Sequence, residues 1–439
     1  MYLAASLLQH GFQAEIIDAN ASGLSDEEIG NKIKILHPDL IGIALLSEIF
    51  YPVYWLTRYI KDTYPQAKIV LGGPHVNALP ERVMDEFKEA DYALVGESEE
   101  SIVCLCQGLE KKEDFSQVNG LYYRTNGKVV CHKPARPIEG LDSLQYPARN
   151  LLAELYKSNK YYMILVKERP VETILTSRGC PFHCRFCSNT SRQYRARSAG
   201  NVLEEIIALY SQDIRNIDIA DANFTFDRDR AIRIFQLIQK EKLRIGMRIK
   251  SRTDSIDAEL VEEAKKAGVY LISLGMESGS QEILDRMAKG TKIEKNILAC
   301  ETVMRQGLKL NTGWIVGFPG ETPQTIEQTT RLITKIKPTT ANINLLVPYP
   351  GTEVYLEAES EGTLVGSWSI KNNFIPWVKL PWAESYTDLE RIAQKVKNKV
   401  YYRPYYLFNF AGEIVRNANF TLARYAFQEA AKSLKSSRK

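Results

Sequence analysis

Glu172-Thr-Ile-Leu-Thr-Ser-Arg-Gly-Cys180-Pro-Phe-His-Cys184-Arg-Phe-Cys187 runs from a short apolar strand through a glycine turn into three cysteines, separated by three and then two residues. A strand that ends on a loop carrying reactive side chains is how parallel β/α barrels present chemistry, at the carboxyl ends of their strands. The sequence downstream keeps that rhythm. Strands are predicted at 172–176, 214–220, 243–250, 270–275, 310–315 and 341–345, with helices between them, such as 202–210, 228–240, 258–267 and 280–287. Six strand–helix steps predict a partial (β/α)6 barrel over 171–370. Residues 371–439 are rich in Trp, Tyr and Phe and turn helical from about Asp388, as a tail packed on the barrel.

Upstream, a second alternating block occupies 1–133. Helices are predicted at 1–10, 26–36, 52–64 and 80–88, and apolar strands at 12–18, 40–46, 68–71 and 92–95. Short apolar strands between helices mark an α/β, doubly wound, Rossmann-like sheet covered on both faces. Its ligand edge lies at the strand carboxyl ends. That edge carries Ser47, Gly72, Gly73, His75, Gly96 and Glu97. A hairpin follows, turning at Asn126-Gly127. Residues 134–170, with several prolines, read as a connection whose role is spacing.

Composition narrows the class without naming it. The chain has 439 residues, enough for about three domains at ~150 residues each. A 44% apolar and 25% charged content excludes global disorder and a collagen-like chain. A net charge of +4 gives no sign of a nucleic-acid partner. No run approaches the ~18 apolar residues of a membrane span, and the N-terminus lacks the basic segment and cleavage region of a secretion signal. A cytoplasmic protein is expected. Seven cysteines in such a length do not make a disulfide framework.

Three of those seven are Cys180, Cys184 and Cys187. Soft thiolates suit iron–sulfur sites, and three on one loop can hold three irons of a four-iron cluster, leaving the fourth open to a substrate or cofactor. A structural zinc site is the competing reading and needs a fourth ligand, either His183 or a residue elsewhere. The C-x3-C-x2-C spacing with Phe186 before the last cysteine resembles the signature of the radical SAM enzymes. The resemblance implies a 4Fe-4S cluster on Cys180, Cys184 and Cys187, with S-adenosylmethionine chelated at the open iron and Phe186 beside its adenine. Electron donation, from a donor such as flavodoxin or ferredoxin, would then yield a 5′-deoxyadenosyl radical that abstracts a substrate hydrogen. Further cofactor contacts are implied at Asp221 and Asn223, at Arg252, at Glu277 and Ser278, and at Gly317 and Gly320. Residue-level alternatives are an Asx turn at Asp221 and Asn223, an ion pair at Arg252, and a structural turn at Gly317-Phe-Pro-Gly320.

The order of domains narrows the resemblance. VLGGPHVNALPE and VGESEE, ahead of such a barrel, resemble the cobalamin-binding domain of the B12-dependent radical SAM class. Ser47, Gly72, Gly73, His75, Gly96 and Glu97 would line the corrinoid. Bare glycine backbone allows the close approach of a bulky ligand. The Asp-x-His-x-x-Gly cobalt-ligating pattern is absent, and the chain opens on what resembles that domain's first helix. The reading is a cobalamin-dependent C-methyltransferase acting on a small-molecule substrate. The alternatives are a radical SAM deoxygenase, dehydrogenase, cyclase or decarboxylase with a vestigial cobalamin domain, and a non-catalytic metal-bearing scaffold that docks a partner through Tyr401–Phe408.

Overall fold

The computed structural model describes residues 1–111, 115–158, 160, 161, 163, 166, 170–189, 191–371 and 374–406. It divides into two compact units. One holds Met1–Lys160, Tyr349–Leu356 and Gly366–Pro376; the other holds Tyr161–Pro348, Glu357–Val365 and the described residues from Trp377 onward.

In the first unit, β1 (Leu40–Ala44), β2 (Lys68–Gly72) and β3 (Tyr92–Leu94) pair in parallel. The hairpin β4 (Leu121–Thr125) and β5 (Lys128–Cys131) extends the sheet antiparallel. Its turn is the expected one, since Asn126 and Gly127 both have positive φ, 50° and 75°. Side chains alternate between two helical layers. Ile69 and Leu71 join a core with Ile29, Phe50 and Ile60, while Val70 joins the opposite one with Ile102 and Leu105. Helix Asp26–Leu36 starts at a capping box in which Ser25 and Glu28 bond reciprocally.

Two expectations are corrected. Residues 12–18 form no strand. Their alternation is met by packing rather than by a ladder: Ala14 and Ile16 pack on Ala4, Ala5 and Ala148, while Gln13 and Glu15 stay exposed. The stretch after the hairpin is also more than a spacer. Leu141, Ala148 and Leu152 are buried, and Ile138 N–H donates to Glu97 Oε2 at 2.9 Å.

The second unit contains β6 (Val171–Ile174), a short antiparallel pair β7 (Ser177–Arg178) and β8 (Arg195–Ala196), then β9 (Asn216–Ile219), β10 (Gly246–Ser251), β11 (Val269–Glu277), β12 (Lys309–Val316) and β13 (Thr340–Leu345). The six main strands are parallel, in the order β13-β12-β11-β10-β9-β6. This is the expected open, six-stranded partial barrel. Ile272, Leu274 and Met276 of β11 join the core packed under the helices, so Ser273, Gly275 and Glu277 face the other way, into the barrel. Each such apolar side chain, once buried, contributes about 1.5–3 kcal/mol.

Helix Tyr386–Tyr401 begins at a Ser385/Asp388 capping box and closes over β13. Tyr401 Oη bonds the Ala341 main chain, donating to its carbonyl at 2.6 Å and accepting from its N–H at 3.1 Å. Tyr406 is 1% exposed. Tyr401 and Tyr406 therefore pack on the barrel, while Tyr402 and Tyr405 stay exposed between them. Leu407 and Phe408 lie outside the described residues. Among the described residues, no helix is long and apolar enough to cross a membrane.

Candidate active site

The cysteine loop is fastened at its base. The β7–β8 pair closes residues 179–194 into one excursion. Gly179 has φ 81°, and a Cβ there would lie 2.1 Å from Gln193 O, so no other residue fits the neck. Cys180 N–H donates to Ser191 O, Cys187 N–H to Cys184 O and Arg185 N–H to Met287 O, each at 3.0 Å. Asp221, 1% exposed, accepts from Thr176 N–H at 2.7 Å and from the Thr176 and Ser177 hydroxyls at 2.6 Å each. The sequence reading gave Asp221 a cofactor contact; in the fold its carboxylate accepts three hydrogen bonds from Thr176 and Ser177 and so anchors the strand end from which the cysteines spring.

Three further strand ends converge on Cys184, which is buried, while Cys180 and Cys187 are half-buried. From β10, the Arg252 guanidinium reaches 3.7 Å from Cys184 Sγ, pairs with Asp254 at 2.8 Å, donates to Lys289 O at 2.6 Å and lies 3.7 Å over the Phe182 ring. From β9, Asn223 Oδ1 accepts the Arg252 N–H at 3.3 Å, and its Nδ2 is buried with no hydrogen-bond partner. From β11, Glu277 pairs with Lys289 at 2.8 Å, both nearly enclosed. Burial pushes the Cys184 thiol above its ordinary range, while Lys289 and Arg252 draw it down and Cys187 and Glu277 push it up.

Lys289 was not legible in the sequence. It sits in Met287-Ala-Lys-Gly290, after a short helix and between Ala288 and Gly290, both with positive φ. A lone lysine in a small-residue turn was the signal available. Gly275 makes room for this pair: a Cβ there would meet Glu277 Oε1 at 2.3 Å and Lys289 Nζ at 2.9 Å.

The remaining barrel residues divide by role. Phe186 is half-buried on the loop, and His183 is exposed. Ser278 is fully buried; its hydroxyl accepts from Ser280 N–H at 3.2 Å and lies 3.3 Å from Thr329 Oγ1, so it fastens β11 to helix Pro323–Ile336. Gly317 and Gly320 have φ of 94° and 90° and form the turn that Glu321 closes, accepting Gly317 N–H at 2.6 Å.

That turn has a pH signature. Burial raises the Glu321 carboxyl from its ordinary 4.5 to about 7, against the lowering effect of the Gly317 and Phe318 N–H groups. The folded carboxyl holds its proton more tightly than the unfolded one. Its contribution to stability is thus full below pH 4.5 and is lost as the pH rises through about 7. Thermal melts of the anaerobic protein at pH 5 and pH 8 are expected to differ less in Glu321→Gln than in wild type. The excess slope is on the order of 3 kcal/mol, at about 1.4 kcal/mol per tenfold change in proton affinity. Equal slopes would sink this assignment.

In the first unit, the loops after β1 and β2 are zipped together. Gly73 has φ 108°, and a Cβ there would stand 3.0 Å from Leu45 O. Ser47 Oγ and His75 Nδ1 are 2.8 Å apart, and the imidazole packs on Phe50 and Trp368. Burial, helped by Arg82 and opposed by Glu48, drops His75 to about 4, so it is neutral near pH 7. At 2% exposure, His75 is enclosed by protein and serves the edge from within. Gly96 N–H donates to Asn77 Oδ1 at 2.8 Å, and Glu97 holds Ile138. Gly72 differs from these. A Cβ on it would meet nothing nearer than Leu94 O at 3.7 Å, so the protein's own packing does not demand glycine there. Its bare backbone leaves a place of close approach at the carboxyl edge.

An unclosed parallel barrel carries three cysteines on the loop after its first strand, with Arg252, Lys289 and the unpartnered Asn223 amide around Cys184, although among the described residues no three His, Cys, Asp or Glu side chains are gathered as a metal site. The Radical SAM superfamily model matches residues 174–333, and the B12 binding domain model matches residues 1–105. A methyltransferase of Pyrococcus horikoshii, itself uncharacterized, is 30% identical over 434 residues, covering 97% of this chain and 93% of the relative. The chain belongs to the B12-binding-domain-containing radical SAM enzymes. The anaerobic magnesium-protoporphyrin IX monomethyl ester cyclase of Rubrivivax gelatinosus is 31% identical over 366 residues, 81% of this chain and 65% of the cyclase. Among solved structures, the radical S-adenosylmethionine methyltransferase TsrM from Kitasatospora setae, with cobalamin and a 4Fe-4S cluster bound, aligns over 91% of this chain and 85% of its own at TM-score 0.75 and 16% identity, a likeness of fold. The cofactors are a 4Fe-4S cluster, S-adenosylmethionine and cobalamin.

Proposed function

We propose that the protein is a cytoplasmic, cobalamin-dependent C-methyltransferase that takes its electrons from a small donor such as flavodoxin or ferredoxin. The observation that carries the reading is the Cys184 surround, where a buried thiol lies 3.7 Å from Arg252, with the Lys289–Glu277 ion pair beside it. When bound, a four-iron cluster supplies the electron for reductive cleavage of S-adenosylmethionine, and a corrinoid supplies a transferable methyl group. Cys180, Cys184 and Cys187 would hold the cluster. Arg252 and Lys289 oppose the burial that holds the Cys184 thiol protonated. The unpartnered Asn223 Nδ2 and the Glu277–Lys289 pair offer a donor, an acceptor and a cation to an amino-acid group of the cosubstrate. Phe186 would lie beside its adenine. Ser47, Gly72, Gly73, Gly96 and Glu97 would line the corrinoid.

The test is turnover with methyl-labelled S-adenosylmethionine by the reconstituted, cobalamin-loaded protein. Label in the product supports methyl transfer. The identity to the cyclase favours a second reading, radical ring closure. Formation of 5′-deoxyadenosine with an unlabelled, dehydrogenated product would select it.

A further inference from the structure

The Arg252 guanidinium is held along one edge and on one face, and its remaining end points at a sulfur. Asp254 takes the edge in a fork, from Nε at 3.0 Å and from Nη2 at 2.8 Å. The second Nη2 hydrogen goes to the Lys289 carbonyl at 2.6 Å. The Phe182 ring lies across the plane, 3.7 Å from the guanidinium carbon. Nη1 is left to donate to Cys184 Sγ at 3.7 Å. A planar fork fixed in this way is pre-organised, so it loses little freedom in making that last bond.

The partner charges are unequally screened. The Arg252 side chain is 6% exposed and that of Asp254 28%. Water therefore weakens the field of the carboxylate more than that of the guanidinium. The carboxylate also sits on the Nε–Nη2 edge, while Nη1 faces the thiol. Lys289 differs, since its ammonium lies 2.8 Å from Glu277 with both side chains nearly enclosed. Of these two cations, Arg252 is the one that hydrogen-bonds the sulfur. A cationic donor aimed at a buried sulfur suits a thiolate bound to an anionic cluster. Reduction adds one negative charge to such a cluster, so a fixed N–H and a fixed positive charge at the sulfur favour the reduced form. Hydrogen bonds to the sulfurs, net charge and exposure are what set iron–sulfur potentials.

We propose that Arg252 is a positioning residue that acts through Cys184 to raise the reduction potential of the cluster, and so brings it within reach of a small electron-carrier protein. The step moves one electron from that carrier to the cluster. No bond forms or breaks, and Arg252 keeps its proton throughout. The proposal rests on the assignment of the cluster to Cys180, Cys184 and Cys187. It is tested without turnover, on the anaerobically reconstituted full chain free of S-adenosylmethionine. The protein is titrated with dithionite in the presence of redox mediators, the reduced cluster is read by electron paramagnetic resonance, and iron and sulfide are assayed in every sample.

Arg252→Gln is expected to lower the ratio of reduced to oxidised cluster about tenfold at a fixed potential, the low end for a lost outer-shell partner. For one electron that is a midpoint ~59 mV more negative. Arg252→Lys keeps the charge without the fork and should fall between this variant and wild type. Asp254→Asn removes the countercharge and should move the midpoint the opposite way, to a more positive value. A merely structural role would cost iron in these variants without producing shifts of opposite sign. An unchanged midpoint in Arg252→Gln at full iron content overturns the proposal, as does a negative shift in Asp254→Asn. If Arg252→Gln loses its iron, the sign of the Asp254→Asn shift decides. Wild type that takes up no four-iron cluster overturns the cluster assignment, and the proposal with it.

Discussion

Cys184→Ala is expected to strip the reconstituted protein of its iron and to lower 5′-deoxyadenosine formation to background. The fall should exceed about a hundredfold, the upper end of what outer-shell changes at metal sites cost. Of the three clustered cysteines, Cys184 alone is fully buried, and Arg252 lies 3.7 Å from its sulfur. Loss of that thiol leaves the Arg252 guanidinium facing a void where a thiolate stood. The comparison variant is Cys300→Ala. Cys300 is also buried, 3.6 Å from Met276 Sδ on the helix-facing side of β11. It should keep full iron content and cleavage, at a stability cost of about 1 kcal/mol, typical for a single core change. Iron and sulfide assay, with anaerobic cleavage under dithionite, reads both. Retention of cleavage in Cys184→Ala is the result that defeats the assignment of the cluster.

The second large effect is expected at Lys289. Breaking a buried ion pair by removing one partner leaves an uncompensated charge and costs about 3–5 kcal/mol. Lys289 and Glu277 side chains are 6% and 12% exposed, so Lys289→Met should lower the melting temperature sharply. Adding Glu277→Gln removes the stranded carboxylate and should recover part of that stability. Cleavage of S-adenosylmethionine in the double variant, measured below its unfolding temperature and with iron content confirmed, is expected to remain 10- to 100-fold down. Cleavage that returns together with stability would assign the pair to the scaffold alone.

Much of the fold was legible in advance because it is carried by local signals. Gly72-Gly73 and Asn126-Gly127 mark boundaries by backbone chemistry that needs no distant partner. The six barrel strands were legible for the same reason. The segment at 12–18 misled because alternation is a demand for one buried face, and packing on Ala4, Ala5 and Ala148 meets it as well as pairing does. Asp221 and Ser278 were given as cofactor contacts by the family resemblance. Whether such a side chain points at a ligand or back into the protein depends on donors 44 to 51 residues away, here Thr176 and Ser177 for Asp221 and Thr329 for Ser278.

By itself, then, the amino-acid sequence determined the two alternating blocks, the loop with three thiols and the cofactor family. Each depends on spacing within one short stretch or on the order of such stretches. Only the tertiary structure decided which strand ends supply charge to that loop. Arg252, Lys289 and Asn223 lie on separate elements, and a Coulomb field at Cys184 is fixed by distances through space, which the order of residues along the chain does not encode.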